Sequence, residues 1–215
     1  MHVEPINRYA DLKLAGPPVK RLIKLIYLQL FRRPCRASLG KGTYALQPFH
    51  CNAPERLKIG ARGTIGTRAT FNIITEWFSQ TFSPRIEIGD DVYVGSNCEL
   101  VAIEGIVIGN GCTLSDEVYI NDASHSIDPR KGLFMDRPLE SKGGIRIGDG
   151  CFIGRRAIIL PGVHLGDFCV IGAGAVVTKS APNFSLITGN PARITATFNQ
   201  ELGAWTRCGA LDIGA

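Results

Sequence analysis

One spacing dominates this chain. From residue 147 an aliphatic side chain returns at every sixth position, through Ile147, Ile153, Ile159, Leu165, Ile171 and Val177, without a slip. The fourth residue after each of the first five is small or modest in size: Cys151, Ala157, Val163, Cys169 and Ala175. The same frame runs upstream through Ile88, Val94 and Leu100, and after a two-residue insertion through Ile108, Leu114 and Ile120; a rougher copy sits at Ile59, Ile65 and Phe71. A period of six is neither the 3.6 of a helix nor a plain alternation. It does contain the strand period, because positions i and i+4 of an extended segment point to one face. A turn every six residues folds three short strands into a triangular coil of about 18 residues, with the aliphatic inside and the small residue near each corner. Glycine follows the aliphatic nine times, at 60, 66, 89, 95, 109, 148, 154, 166 and 172. That is where a side chain would crowd or φ must be positive. The predicted fold class is therefore an all-β solenoid, a parallel β-helix whose coils pair backbone to backbone.

At 215 residues the chain suits one domain. Three regions follow: an N-terminal basic arm and cap over 1–54, the β-helix over 55–195, and a C-terminal tail over 196–215. Residues 1–41 carry a net charge of +7 and the remaining 174 residues −2. The main body is thus no nucleic-acid binder by charge, and the basic excess belongs to the arm. The seven cysteines include no C-x-x-C pair, so zinc spacing is absent, and the reading is no metal. Cys98, Cys112, Cys151 and Cys169 fall on the small interior position and read as core filler in a reduced, cytoplasmic protein. No apolar run reaches the about 18 residues of a membrane span, and no signal peptide is read around Leu22–Phe31. Pro17-Pro18 and the residues up to Pro34 read as a short helix, apolar with a basic flank. It is either a cap over the open end of the solenoid or a helix lying on the anionic inner membrane surface. The tail with Trp205 caps the other end or packs on a neighbour.

A regular prism has no pocket, so interruptions of the frame mark where chemistry sits. The first runs from Asn72 to Arg85 and contains Trp77, Phe78 and Phe82; the second is a protruding loop over 126–144. Loops this long in compact domains are functional or disordered. The second leaves the coil directly after His125, and its Phe134 and Met135 are placed to cover a neighbouring subunit or substrate. Of the other histidines, His164 sits at a coil corner facing solvent, His50 precedes the first coil and His2 is in the arm.

The sequence from Ile120 to His125, the loop, the uninterrupted stretch from Ile145 to Lys179 and the motif Gly189-Asn190-Pro191-Ala192-Arg193 resemble, in order and in register, the hexapeptide-repeat acetyltransferases that act on galactosides, maltose, xenobiotics and surface glycans. The resemblance covers about residues 55–195. It implies a left-handed coil and an acetyl-CoA-dependent O-acetyltransferase with His125 as general base, taking the proton of an acceptor hydroxyl as it attacks the thioester directly. It also implies a homotrimer with acetyl-CoA lying between adjacent prisms. The backbone of Ala173 and Gly174 would meet the pantetheine arm, Thr178 and Lys179 the pyrophosphate, and Arg193 the nucleotide phosphates; Arg155 is a further cofactor contact. Asn97 and Glu99 face outward as acceptor contacts, and Asp122 or Asp128 would orient His125, Asp122 also standing among the acceptor-binding residues. The chain departs from these relatives at Phe152, where they often carry Trp, and at Val94–Leu100, which lacks the Asn-rich strand of the galactoside and maltose enzymes. The leading expectation is a sugar or glycan acceptor; a xenobiotic acceptor and a non-catalytic scaffold are the alternatives. A zinc hydratase on the same prism needs three converging histidines, and the coils offer only His125 and His164.

Overall fold

The structure, a computed structural model, describes residues 38–208. The helix expected after Pro17-Pro18, with its cap and membrane readings, lies outside the described residues, as does His2. Among the described residues the only helices are short 3₁₀ turns, and none is long and apolar enough to cross a membrane.

Ile147, Ile153 and Ile159 lie on three successive faces of one coil. Their strands, Ile145–Ile147, Phe152–Ile153 and Ile158–Ile159, belong to three different sheets. One coil later each finds a parallel partner in register, Ile147 opposite Leu165, Ile153 opposite Ile171 and Ile159 opposite Val177. The first face holds six strands, from Ser38–Leu39 to His164–Leu165; the third also holds six, from His50–Cys51 to Val176–Val177. The second holds nine, from Tyr44–Ala45 to Ala204–Arg207. The spaced aliphatics line the interior: Ile65, Val94, Leu100, Leu114, Ile120, Ile153, Ile159 and Ile171 all have 0% exposure. Burial of each such side chain contributes about 1.5–3 kcal/mol.

Crowding, not backbone conformation, explains the glycines after the aliphatics. A Cβ on Gly66 would lie 2.5 Å from the carbonyl carbon of Gly95, and one on Gly154 2.6 Å from the nitrogen of Ala173. None of the nine has positive φ. The left-handed residue of each corner comes two positions later, at Arg62, Asn97, Glu117, Gly150 and Gly174 among others. The corner between the first and second faces is held by a ladder of Asx side chains. Asp90, Asn110, Asp149, Asp167 and Asn183 each accept a backbone N–H from the neighbouring coil, at 2.6–3.0 Å. The interior cysteines bridge coils as donors: Cys98 to the Ser115 carbonyl at 3.1 Å and Cys112 to that of Gly148 at 3.0 Å. Burial pushes the Cys98 thiol up to about 11, which disfavours the thiolate and suits a packing role.

Two expected boundaries shift. The β-helix begins before residue 55: Ser38–Leu39, Tyr44–Ala45 and His50–Cys51 form a coil paired with Leu57–Ile59, Thr64–Ile65 and Thr70–Ile73. Its signal, Leu39, Ala45 and Cys51 at six-residue spacing, is faint because two of the three are small. At the other end Ala192–Asn199 runs through the boundary at 196 and, with Ala204–Arg207, extends the second face by antiparallel strands. Trp205 packs on Phe198, with ring centroids 5.5 Å apart.

Every large departure from the frame occurs on one edge, between the third and first faces. The first excursion follows Thr70–Ile73, the two-residue insertion follows Glu99–Ala102, and the long loop follows Tyr119–Asn121. Successive coils therefore stack these three departures beside one another.

Candidate active site

His125 stands at the root of the long loop. Its two-residue strand, Ser124–His125, pairs antiparallel with Leu139–Glu140, so the outgoing and returning arms of the loop fix its backbone. Pro138 accepts the Ser126 N–H at 2.9 Å. The imidazole is half-buried and lies edge-on to Trp77, with centroids 5.2 Å apart and planes at 70°. Nδ1 is buried without a hydrogen-bond partner.

The first excursion clamps this arrangement. Its hairpin, Glu76–Trp77 with Gln80–Thr81, donates Trp77 Nε1 to the Arg137 carbonyl at 3.0 Å. The Gln80 amide makes two bonds to the backbone of Leu139, accepting its N–H at 2.8 Å and donating to its carbonyl at 2.9 Å. Beneath them Val101, Ile103, Ala123 and Leu139 form a small apolar cluster outside the coil, joined by Ile74, Trp77, Phe82 and Tyr119. Arg137 is only 7% exposed. It donates to the Gly132 and Ser126 carbonyls at 2.9 and 3.3 Å, and its guanidinium lies 4.0 Å from the Phe134 ring centroid. The loop tip presents Ile127, Leu133, Phe134 and Met135 to solvent.

Neither candidate carboxylate touches His125. Asp122 has 0% exposure. Its oxygens accept the N–H groups of Ile103, Glu104 and Gly105 at 2.7, 3.0 and 2.6 Å. Burial raises its pKa, opposed by those three bonds. The carboxylate closes the two-residue insertion of the neighbouring coil, so the role of acceptor contact or orienting base does not fit it. Asp128 is held by Arg130, which also keeps its carboxyl below the usual range.

The remaining candidates divide between edges. Asn97, Arg155, Ala173 and Gly174 lie along the corner between the second and third faces, where Gly174 N–H bonds the Arg155 carbonyl at 2.8 Å. Asn97 is exposed and accepts from Arg68 Nε at 2.7 Å. Arg155 pairs with Glu117, and Arg156 Nε reaches the same carboxylate at 2.6 Å. Ala173 and Gly174 are exposed. Thr178 and Lys179 lie on the interrupted edge, the edge of His125, and are exposed. Glu99 faces outward on the third face, in register with Thr70 and Tyr119. Arg193 is exposed on the C-terminal hairpin, opposite Thr188. A single chain thus does not bring His125 to Arg155, Ala173 and Gly174. His50 and His164 are exposed on the third and first faces. No group of three His, Cys, Asp or Glu side chains placed to hold a metal occurs among the described residues.

Residues 85–121 and 144–179 match the family described as the hexapeptide repeat of succinyl-transferase. Nodulation protein L of Rhizobium meliloti (strain 1021) is 33% identical over 193 residues, which is 86% of either chain. The chain belongs to the hexapeptide-repeat acetyltransferases. Another relative of this acetyltransferase is the putative lipopolysaccharide biosynthesis O-acetyl transferase WbbJ of Escherichia coli (strain K12), 31% identical over 133 residues, 59% of this chain and 64% of the relative. Among solved structures, a maltose O-acetyltransferase from Clostridium difficile 630 aligns at TM-score 0.53 and 27% identity, over 90% of this chain and 83% of its own. AntD, an N-acyltransferase from Bacillus cereus in complex with dTDP and 3-hydroxybutyryl-CoA, shares the fold at TM-score 0.63 and 18% identity, over 85% of this chain and 90% of its own.

In this acetyltransferase, sequence reasoning located the interruptions but missed what joins them. Trp77 stood out as an aromatic in a break of the frame; Gln80, Arg137 and Glu117 gave no comparable sign, because their partners are 59, 11 and 38 residues away and follow no period.

Proposed function

We propose that the enzyme transfers an acetyl group from acetyl-CoA to a hydroxyl of a sugar or glycan intermediate, with His125 as general base. The observation that carries this reading is the pinning of His125 at the root of the loop, on the edge where the coil is interrupted. A hydroxyl becomes a competent nucleophile as its proton leaves, and an imidazole accepts a proton near neutrality without prior activation. Nε2 takes the proton while the oxygen attacks the thioester carbonyl, and the thiol of CoA leaves with a proton returned from the imidazolium. No covalent enzyme intermediate is needed; the buried cysteines serve as packing. The relative named as a putative O-acetyl transferase of lipopolysaccharide biosynthesis and the solved maltose O-acetyltransferase support a hydroxyl on a carbohydrate as acceptor.

The acyl donor is assigned to the corner of Ala173 and Gly174, whose exposed backbone lets a long ligand approach closely, with Arg155, Thr178, Lys179 and Arg193 facing its phosphates. Because these groups lie on two edges of one prism, the working unit is a homotrimer in which one copy's His125 faces its neighbour's corner.

The test is release of CoA thiol from acetyl-CoA in the presence of carbohydrate acceptors, by wild type and by His125→Ala. The expected loss is about 10²–10⁴-fold. Equal turnover by the two proteins removes the histidine from the mechanism.

A further inference from the structure

Away from His125 the surface has a cleft of about 580 Å³, within the about 300–1,000 Å³ range of small-molecule sites. It is open along one side and lies on the outward side of the first face, beside the interrupted edge. Its floor follows the strand register, Glu87 opposite Val107, Val107 opposite Arg146 and Arg146 opposite His164. Its rims are the ends of the two excursions, Ser83 to Arg85 and Lys142 to Gly144.

The charges in the cleft are unspent. Elsewhere on the prism five cations are paired: Arg62 with Asp90 and Asp91, Arg130 with Asp128, Lys131 with Glu140, and Arg155 and Arg156 with Glu117, whereas Lys41, Lys58 and Lys179 make no ion pair among the described residues. Among the described residues, the side chains of Arg85, Lys142, Arg146, Glu87 and Glu104 make neither an ion pair nor a hydrogen bond. The cleft thus offers free donors and free acceptors together, with three exposed cations against two carboxylates. An apolar ligand would strip water from these charges without replacing it. A polyphosphate would meet two opposing carboxylates. A polyhydroxylated ligand with one acidic group satisfies both: its hydroxyls donate to Glu87 and Glu104, and its carboxylate accepts from a guanidinium.

We propose that this cleft is an acceptor subsite that holds an acidic glycan segment, a uronate-bearing oligosaccharide, while another part of the same molecule reaches His125. The proposal rests on the acetyltransferase reading above. Lys142 is two residues beyond Glu140, which pairs with Ser124 beside His125, and two residues span at most about 7 Å. The rim of the cleft is thus continuous along the chain with the strand beside His125, and the proposed acceptor is an extended one that occupies the cleft with one part and the base with another.

The test is equilibrium binding of two named probes to the full chain, trigalacturonate and maltotriose, by calorimetry and saturation-transfer NMR. Trigalacturonate is expected to bind at least fivefold more tightly than maltotriose. Its Kd is expected to rise at least tenfold in Arg85→Glu/Arg146→Glu and to stay unchanged in Arg207→Glu, a charge reversal on the second face. All variants are checked for the wild-type melting temperature. Equal binding of the two sugars, no binding of trigalacturonate, or an equal loss in Arg207→Glu overturns the subsite. His125→Ala separates the two claims: with both correct it still binds trigalacturonate but no longer turns over acetyl-CoA. Turnover that depends on His125 while trigalacturonate fails to bind sinks the cleft alone. Unchanged turnover in His125→Ala sinks the base.

Discussion

Glu117 occupies a position no single-residue rule would single out, yet it governs two arginines. It sits in the left-handed corner conformation, φ 61°, on the coil next to Arg155 and Arg156. Those two guanidinium groups, Arg155 first, hold its carboxyl below the usual Glu range. The sign follows: a carboxylate with a depressed folded pKa lends stability above the ordinary Glu value of about 4.3, and that contribution is lost as pH falls through the folded value. At neutral pH the pair is therefore intact, and in the proposed cofactor site a phosphate of acetyl-CoA would compete with Glu117 for Arg155. Glu117→Gln is expected to tighten CoA binding about 3- to 10-fold by calorimetry at pH 7, because the guanidinium no longer leaves a charged partner. The melting temperature should hardly move, since exposed pairs contribute little. Unchanged CoA affinity would take Arg155 out of the cofactor site. Asp122 teaches the opposite lesson: proximity to His125 in sequence made it a candidate, whereas its oxygens are consumed by three backbone N–H groups of another coil.

The two excursions and the coil answer to different forces, and substitutions separate them. The excursions meet through few bonds, chiefly Gln80 to Leu139 and Trp77 to Arg137, over a small apolar cluster that the coil does not need. Gln80→Ala is expected to lower kcat about 10- to 100-fold by loosening the strand that holds His125. The melting temperature should stay within about 4 °C of wild type. Gly109→Ala should do the reverse: its Cβ would sit 2.7 Å from the carbonyl carbon of Gly148. Prising two coils apart there costs about 1–3 kcal/mol and lowers the melting temperature, with kcat nearly unchanged. Parallel melts and steady-state kinetics decide; equal thermal losses would mean that the excursions are part of the core. The same division explains what could be read from sequence. In the coil every inward position repeats six residues on and meets its like in the next coil, so Ile147 to Val177 announce both strand and face. The faint first coil escaped because Ala45 and Cys51 carry little apolar weight. His125 was legible as the last residue before a break. Its supports were not, because Gln80 and Leu139 come from separate excursions and no spacing relates them.

Taken whole, the prism keeps its two sets of candidate residues apart. His125, Thr178 and Lys179 are on the interrupted edge; Arg155, Ala173 and Gly174 are on the corner across the third face. The third-face strands of the coils that carry these residues, Tyr119–Asn121, Ile158–Ile159 and Val176–Val177, are two or three residues long, so the gap is about 7–10 Å of backbone plus the corners. No side-chain rotation closes it. The proposed homotrimer would close it by setting prisms side by side, and Phe152 on the second face and the loop-tip residues Leu133, Phe134 and Met135 are exposed apolar groups open to such packing. The proposed ring of three then has three sites, each made from one copy's base and the next copy's corner. Mixing defective copies tests this directly. His125→Ala lacks the base, and Ala173→Trp blocks the corner, so each alone should be inactive. Co-refolded in equal amounts, they should regain about one quarter of wild-type turnover, because a site is whole only where an intact base meets an intact corner, each with even odds. Light scattering on the same sample should give three times the chain mass. If the site were complete within one chain, no mixture would rise above the background of its parts, and recovery at the background level would end the shared-site reading.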